Sequence, residues 1–159
     1  MAKAGYSVRT GSPVALTGTV ARTALMVISP ASFGIDLKKF RIGFDGVTAS
    51  AVSVLWEIVR STNATNSTPG TNNTSESANI VQPYGRTVTA GFTAFSASTS
   101  EPTALTVLDG DLLTPTGGLL VYDFPLGDTF EADASAGMGI RLTAPAAVNV
   151  RCTMIVERV

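Results

Sequence analysis

Six carboxylates are spaced closely enough to invite a shared chemistry. Asp109 and Asp111 flank Gly110, and Asp123, Asp128, Glu131 and Asp133 follow along one stretch. Two carboxylates can act as acid and base in glycoside cleavage, and a denser oxygen set can hold calcium. The residues around them argue otherwise. Asp-Gly is a turn signal, Asp128, Glu131 and Asp133 suit the solvent side of a loop and strand, and no EF-hand spacing occurs. The chain has no histidine, which removes the commonest general base and metal ligand and any triad of the Ser-His-Asp type. Cys152 is the single cysteine and shares parity with four apolar neighbours. That pattern predicts a buried structural thiol, not a nucleophile. GMGIR is not followed by a helix pattern, so no phosphate loop is present. The expectation is a non-enzyme without catalytic, cofactor-binding or metal-binding residues.

Three further features carry possible binding chemistry. Trp56, Tyr84 and Tyr122 are rings on which a sugar can stack, with carboxylates as hydrogen-bond partners, although Trp56 sits among core-facing residues. The segment STNATNSTPGTNNTSES, residues 61–77, holds acceptor patterns for N-glycosylation at Asn63, Asn66, Asn72 and Asn73. A run so rich in Ser, Thr and Asn produces such matches through composition alone. Residues 1–13 contain Lys3 and Arg9 but no acid, around Tyr6. They read as an N-terminal arm, frayed or ordered on a partner.

The elements that would position these residues are strands. In AVSVLWEIVR, Val52, Val54, Trp56 and Ile58 share one parity; in VNVRCTMIVERV, so do Val148, Val150, Cys152, Met154 and Val156. KKFRIGF sets Phe40, Ile42 and Phe44 against Lys39 and Arg41. A period of two marks half-buried strands. Further strands are expected at 14–28, broken near Gly18, and at 92–96, 105–113, 117–124 and 138–144. NIVQPYG reads as an edge strand or loop, because Pro83 cannot donate to a ladder. Turn signals stand at Asp45-Gly46, Pro69-Gly70, Asp109-Gly110, Gly117-Gly118 and Pro125-Leu126-Gly127. Seven to nine short strands with this punctuation indicate an all-β sandwich or barrel.

Size and composition narrow the reading. At 159 residues the chain has the size of one domain. A cut at the polar segment would leave a first half of three or four strands, barely stable alone. The expected organisation is therefore an arm over 1–13 and one sandwich over 14–159, with a long polar loop at 61–79. Charged residues make up only 14%, well below the usual quarter, so other protein is expected to cover much of the exterior. A net charge of -1 gives the whole chain no electrostatic case for nucleic acid. No apolar run approaches the roughly 20 residues of a membrane span. The N-terminal MAKAGYSVRTGSP lacks the apolar core of a secretory signal.

Three stretches together resemble a known family. They are FRIGFDGVTASAVSVLWEIVRST, TSEPTALTVLDGDLLTPTGGLLVYDFPLGDTFEA and GIRLTAPAAVNVRCTMIVERV. Their order of strand, DG turn and aromatic strand, then EPT, GG turn and FPLG, then a closing strand, resembles head decoration (cement) proteins of tailed bacteriophages. The resemblance covers roughly residues 35–60 and 100–159. The chain departs from it in ending Glu157-Arg158-Val159, where the family has an acidic pair. The resemblance implies a jelly-roll-like antiparallel β-sandwich of about eight strands in a single domain. It also implies a protein on the capsid exterior at capsomer junctions, commonly a trimer, whose partners are the major capsid protein and itself. No nucleic acid, membrane, small-molecule substrate or cofactor is expected, and the place of synthesis is the host cytoplasm. The alternatives are another virion β-protein, such as a tail or fibre domain or a small jelly-roll capsid subunit, and a carbohydrate-binding module. On the favoured reading the polar loop reaches a neighbouring copy.

Overall fold

Apolar side chains at every second position make each strand two-sided, and two such sheets can hide their apolar faces only against each other. The computed structural model, which describes residues 4–45, 52–62, 73–125 and 127–159, has this form. Its strands are β1 (Gly5–Arg9), β2 (Val14–Leu16), β3 (Ala21–Ile28), β4 (Ile35–Asp45), β5 (Val54–Thr62), β6 (Thr74–Ser75) and β7 (Ile80–Tyr84). They continue as β8 (Thr93–Ser96), β9 (Leu105–Leu113), β10 (Leu119–Asp123), β11 (Phe130–Ala132), β12 (Ala136–Thr143) and β13 (Val148–Arg158). Short 3-10 turns occupy Ser77–Asn79 and Pro115–Gly117.

One sheet runs β10-β4-β13-β1-β7, with β11 continuing the β10 edge along β4 and β2 continuing the β1 line along β13. The other runs β6-β8-β3-β12-β5-β9. All ladders are antiparallel. Setting aside the short pieces leaves β1-β13-β4-β10 facing β3-β12-β5-β9. The chain alternates between these sheets except at β5 to β9, which pair with each other. That is the eight-strand jelly-roll winding. The remaining strands β6, β7 and β8 belong to an insertion between β5 and β9 that adds strands to the far edge of both sheets.

The core lies between the sheets. Phe40 of β4 meets Trp56 of β5 with ring centroids 5.3 Å apart, and Tyr6 of β1 meets Phe92 edge-on at 5.3 Å. On β13, Val148, Val150, Cys152, Met154 and Val156 are buried while Asn149 and Arg151 are exposed. The 97–104 connection must traverse the second sheet to carry the chain from β8 to β9. Glu101 pins it by accepting the Thr23 N–H at 2.5 Å and the Thr23 hydroxyl at 2.6 Å, and Pro102 is buried. Met26 and Val59, whose register turns them away from the inter-sheet core, are fully buried under this outer layer.

Three expectations require correction. The arm over 1–13 is not one: Gly5–Arg9 forms β1, an interior strand between β13 and β7, with Tyr6 and Val8 in the core. Asp109-Gly110 is not a turn but lies inside β9, beside a bulge where Ile58 pairs with Asp109 and Val59 with Val107. A Cβ on Gly110 would stand 2.7 Å from the Trp56 carbonyl oxygen, so the glycine permits close approach of two backbones. The loop over 61–79 is shorter than expected, since Ser61 and Thr62 finish β5 while Thr74–Ser75 and Ser77–Asn79 are ordered elements. Its middle, 63–72, lies outside the described residues, as do Lys3, Gly46, Leu126 and the Pro69-Gly70 turn signal.

Candidate interaction surface

The carboxylates singled out in the sequence do not converge on a cleft. Asp109 and Asp111 stand on β9 and accept from the N–H of the following residue, Gly110 at 2.9 Å and Leu112 at 2.7 Å. Asp123 ends β10 and is bound by Lys39 at 2.7 Å. The Asp128 N–H closes a turn on the Pro125 carbonyl, and Glu131 sits in β11. Asp133 borders an open hollow with Arg60, Ser61 and Thr103. Among the described residues no group of three or more His, Cys, Asp or Glu could hold a metal ion.

Cys152 is buried, and burial pushes its thiol well above the ordinary range. Trp56 is 6% exposed and walled by Phe40, so its ring offers no platform. Tyr84 and Tyr122 are exposed, yet they lie on β7 and β10, at opposite edges of one sheet. Tyr122 stacks on Phe40 at 5.5 Å. Tyr84 lies across Gly5, where a Cβ would come within 2.0 Å of its Cζ, and its hydroxyl donates to Glu157 at 3.0 Å. Of the glycosylation patterns, Asn63, Asn66 and Asn72 fall outside the described residues; Asn73 directly precedes β6.

The surface with unspent binding capacity is an edge. The outermost strands β9 and β10, one from each sheet, are joined through Pro115–Gly117 and lie on the same side of the sandwich. Val107 (47%) and Leu112 (62%) on β9 are exposed, as are Leu119 (61%), Val121 (46%) and Tyr122 on β10. Edge strands of monomers are usually blunted by charged side chains, lysine above all, by proline, by bulges or by brevity; β9 has two aspartates and a bulge. The opposite side of the sandwich has such protection: β7 contains Pro83 and β6 is two residues long. Neither β9 nor β10 contains lysine, arginine or proline. Behind them Tyr122, Phe124 and Phe130 form a ladder, successive centroids 4.8 Å apart, that seals the gap between the sheets. The edge therefore combines an aromatic backing with exposed apolar side chains, beside the carboxylates of Asp109, Asp111 and Asp123.

A second feature was invisible in sequence. Glu76, the one charge of the polar segment, is 2% exposed. Its carboxylate accepts the Gly11 N–H at 3.0 and 3.1 Å, the Asn79 amide at 2.5 Å and the Ser96 hydroxyl at 2.5 Å. It ties the end of the β1 line to β8, and so closes the far side of the sandwich. Asn79 is three residues away, but Gly11 and Ser96 are 65 and 20 residues away, beyond any local pattern.

Comparison with family models and with curated proteins finds no match. Among solved structures, the comparison includes the crystal structure of the infectious bursal disease virus VP2 subviral particle, at a TM-score of 0.12 and 8% identity over 99% of this chain and 39% of that one. The chain thus spans well under half of VP2, and similarity at this level carries no argument about function.

Proposed function

We propose that this chain is a non-enzymatic structural protein of a bacteriophage virion, which decorates and stabilises the capsid from its outer surface at capsomer junctions as a homotrimer. The observation that carries the reading is the edge of β9 and β10, which holds Asp109, Asp111 and a bulge but exposes Val107, Leu112, Leu119 and Val121, side chains that a neighbouring copy or the capsid would cover. Closed threefold symmetry would bury that edge without open-ended growth. The three stretches that resemble cement proteins and the 14% charged residues support the same reading. The partners are the major capsid protein and further copies of the chain; the reading needs no nucleic acid, membrane, cofactor or small substrate. A carbohydrate-binding role has less support, because Trp56 is buried and the two exposed tyrosines stand on opposite sheet edges. Quantitative mass spectrometry of purified virions tests the proposal. The protein is expected at a fixed, near-stoichiometric ratio to the major capsid protein, and its absence from the particle would overturn the reading.

A further inference from the structure

The outer face of the β10-β4-β13-β1-β7 sheet gathers arginines from three adjacent strands. Arg41 and Arg9 stand opposite Thr153 from either side, on β4 and β1, so their Cα atoms are about 10 Å apart, two strand spacings. Arg151 is one outward position along from Thr153 and pairs with Gly43. Together with Ser7, Thr153, Gly43 and Leu119 these arginines line one open hollow of about 360 Å³. Gly43 contributes no side chain, which keeps the floor low, and the hydroxyl residues Ser7 and Thr153 line the same hollow. Arg151 is held by Asp45 at 3.4 Å, a long contact with both side chains about half exposed. No hydrogen bond or ion pair engages the guanidinium of Arg9 or Arg41 among the described residues. Elsewhere in this sheet Lys39 pairs with Asp123 and Lys38 with Glu157, while Arg158 lies over the Phe33 ring and donates to the Thr89 carbonyl. Two arginines without a carboxylate partner, Arg9 and Arg41, thus stand beside the loosely paired Arg151 in a protein of net charge -1.

We infer that this hollow is a docking site for carboxylates, taking a short acidic segment of a partner protein. Guanidinium groups meet carboxylates in a two-pronged geometry that lysine does not reproduce. Three of them around a shallow floor would hold two or three acidic side chains. The surroundings favour a peptide over a nucleic acid. Asp45, Asp123 and Glu157 stand on this sheet around the arginines, and a phosphate chain running past the hollow would meet their repulsion. A short acidic segment engaging Arg9 and Arg41 ends before it reaches Asp123 and Glu157, and competes with Asp45 only at Arg151, where the two are 3.4 Å apart. Only the partner's identity rests on the virion reading: if that reading holds, this face is turned toward the shell.

The test uses the full chain in solution, titrated with a terminally blocked tetraglutamate peptide and, separately, with a twelve-residue oligothymidylate. Backbone and arginine Nε resonances of Ser7, Arg9, Arg41, Gly43, Arg151 and Thr153 are expected to shift saturably with the peptide. Affinity should fall about tenfold in Arg41→Gln and saturation should vanish in the Arg9→Gln, Arg41→Gln pair, while Arg86→Gln leaves it unchanged. No shift at these residues, or equal binding by the double variant, would overturn the site. Tighter binding of oligothymidylate than of peptide would overturn the carboxylate assignment. The wild-type shift map decides the matter even should a variant misfold. A virion fraction that lacks this protein would contradict the virion reading alone and leave the site standing.

Discussion

Replacing Glu76 with alanine should be among the most destabilising single changes outside the inter-sheet core. The side chain is 2% exposed and receives hydrogen bonds from Gly11, Asn79 and Ser96. Hydrogen bonds to an ionised group contribute about 1.5–3 kcal/mol each when a partner is removed in a buried setting. Gly11 is exposed and Asn79 only half-buried, so water can replace part of what they lose; Ser96 is buried and cannot be rehydrated. Discounting the first two accordingly gives a loss of about 3 kcal/mol for Glu76→Ala. For a domain of this size that is a fall in Tm of about 6–12 °C. Glu76→Gln keeps the shape but turns an amide N–H toward a donor, and should cost about 2 kcal/mol. Urea unfolding with a shared slope gives both numbers, and native-state hydrogen exchange should show early opening at Gly11 and in β8. A Glu76→Ala variant within about 0.5 kcal/mol of the parent would refute the claim that this carboxylate fastens the far edge.

Further outcomes follow from other parts of the molecule. Leu112→Lys with Leu119→Lys, at exposed edge positions, should leave the unfolding midpoint nearly unchanged, and light scattering should report the species falling from three times 16.4 kDa to one. An oligomer that survives the double change would show that the edge is not the interface. Cys152, buried with its thiol pushed up, should resist iodoacetamide until urea unfolds the chain, and labelling in the native state would contradict its burial. The Tyr84 hydroxyl is pushed up from 10.0 to about 12 by burial, by its hydrogen bond to Glu157 and by the charges of Glu157 and Asp123. The folded state thus favours the neutral phenol. Its contribution is complete below the unfolded value of 10.0 and is lost as pH rises toward 12. Tyr84→Phe should flatten that alkaline loss, by under about 1 kcal/mol because the ring is largely exposed; an unchanged slope would assign it elsewhere.

What was legible in the sequence follows from what alternation can encode. β4, β5 and β13 are long enough for period two to dominate, and their inward residues Phe40, Ile42, Trp56, Ile58, Val150 and Met154 are buried as the pattern predicts. The break at Gly18 separates β2 from β3, and Pro83 falls on an edge strand, each for the reason its residue type gives. β1 escaped because Tyr6 and Val8 are only two apolar positions between glycine, serine and arginine. Its burial comes from pairing with β13, nearly the full chain length away. Asp109-Gly110 misled because the pair that suits a hairpin also suits a bulged strand where two backbones approach. Glu76 gave no local sign, since a carboxylate among serines and threonines looks solvated until Gly11 and Ser96 are brought to it. The arginine hollow was hidden for the same reason: Arg9, Arg41 and Arg151 are scattered in sequence and meet only through strand order.

The measurement that bears most directly on the proposed role is an image reconstruction of the virions in which the proposal places this chain. The account predicts jelly-roll density of this size in threefold clusters on the outer shell surface, with the β9 and β10 edges between copies. Density confined to the tail, to the shell interior, or absent from the particle would contradict it.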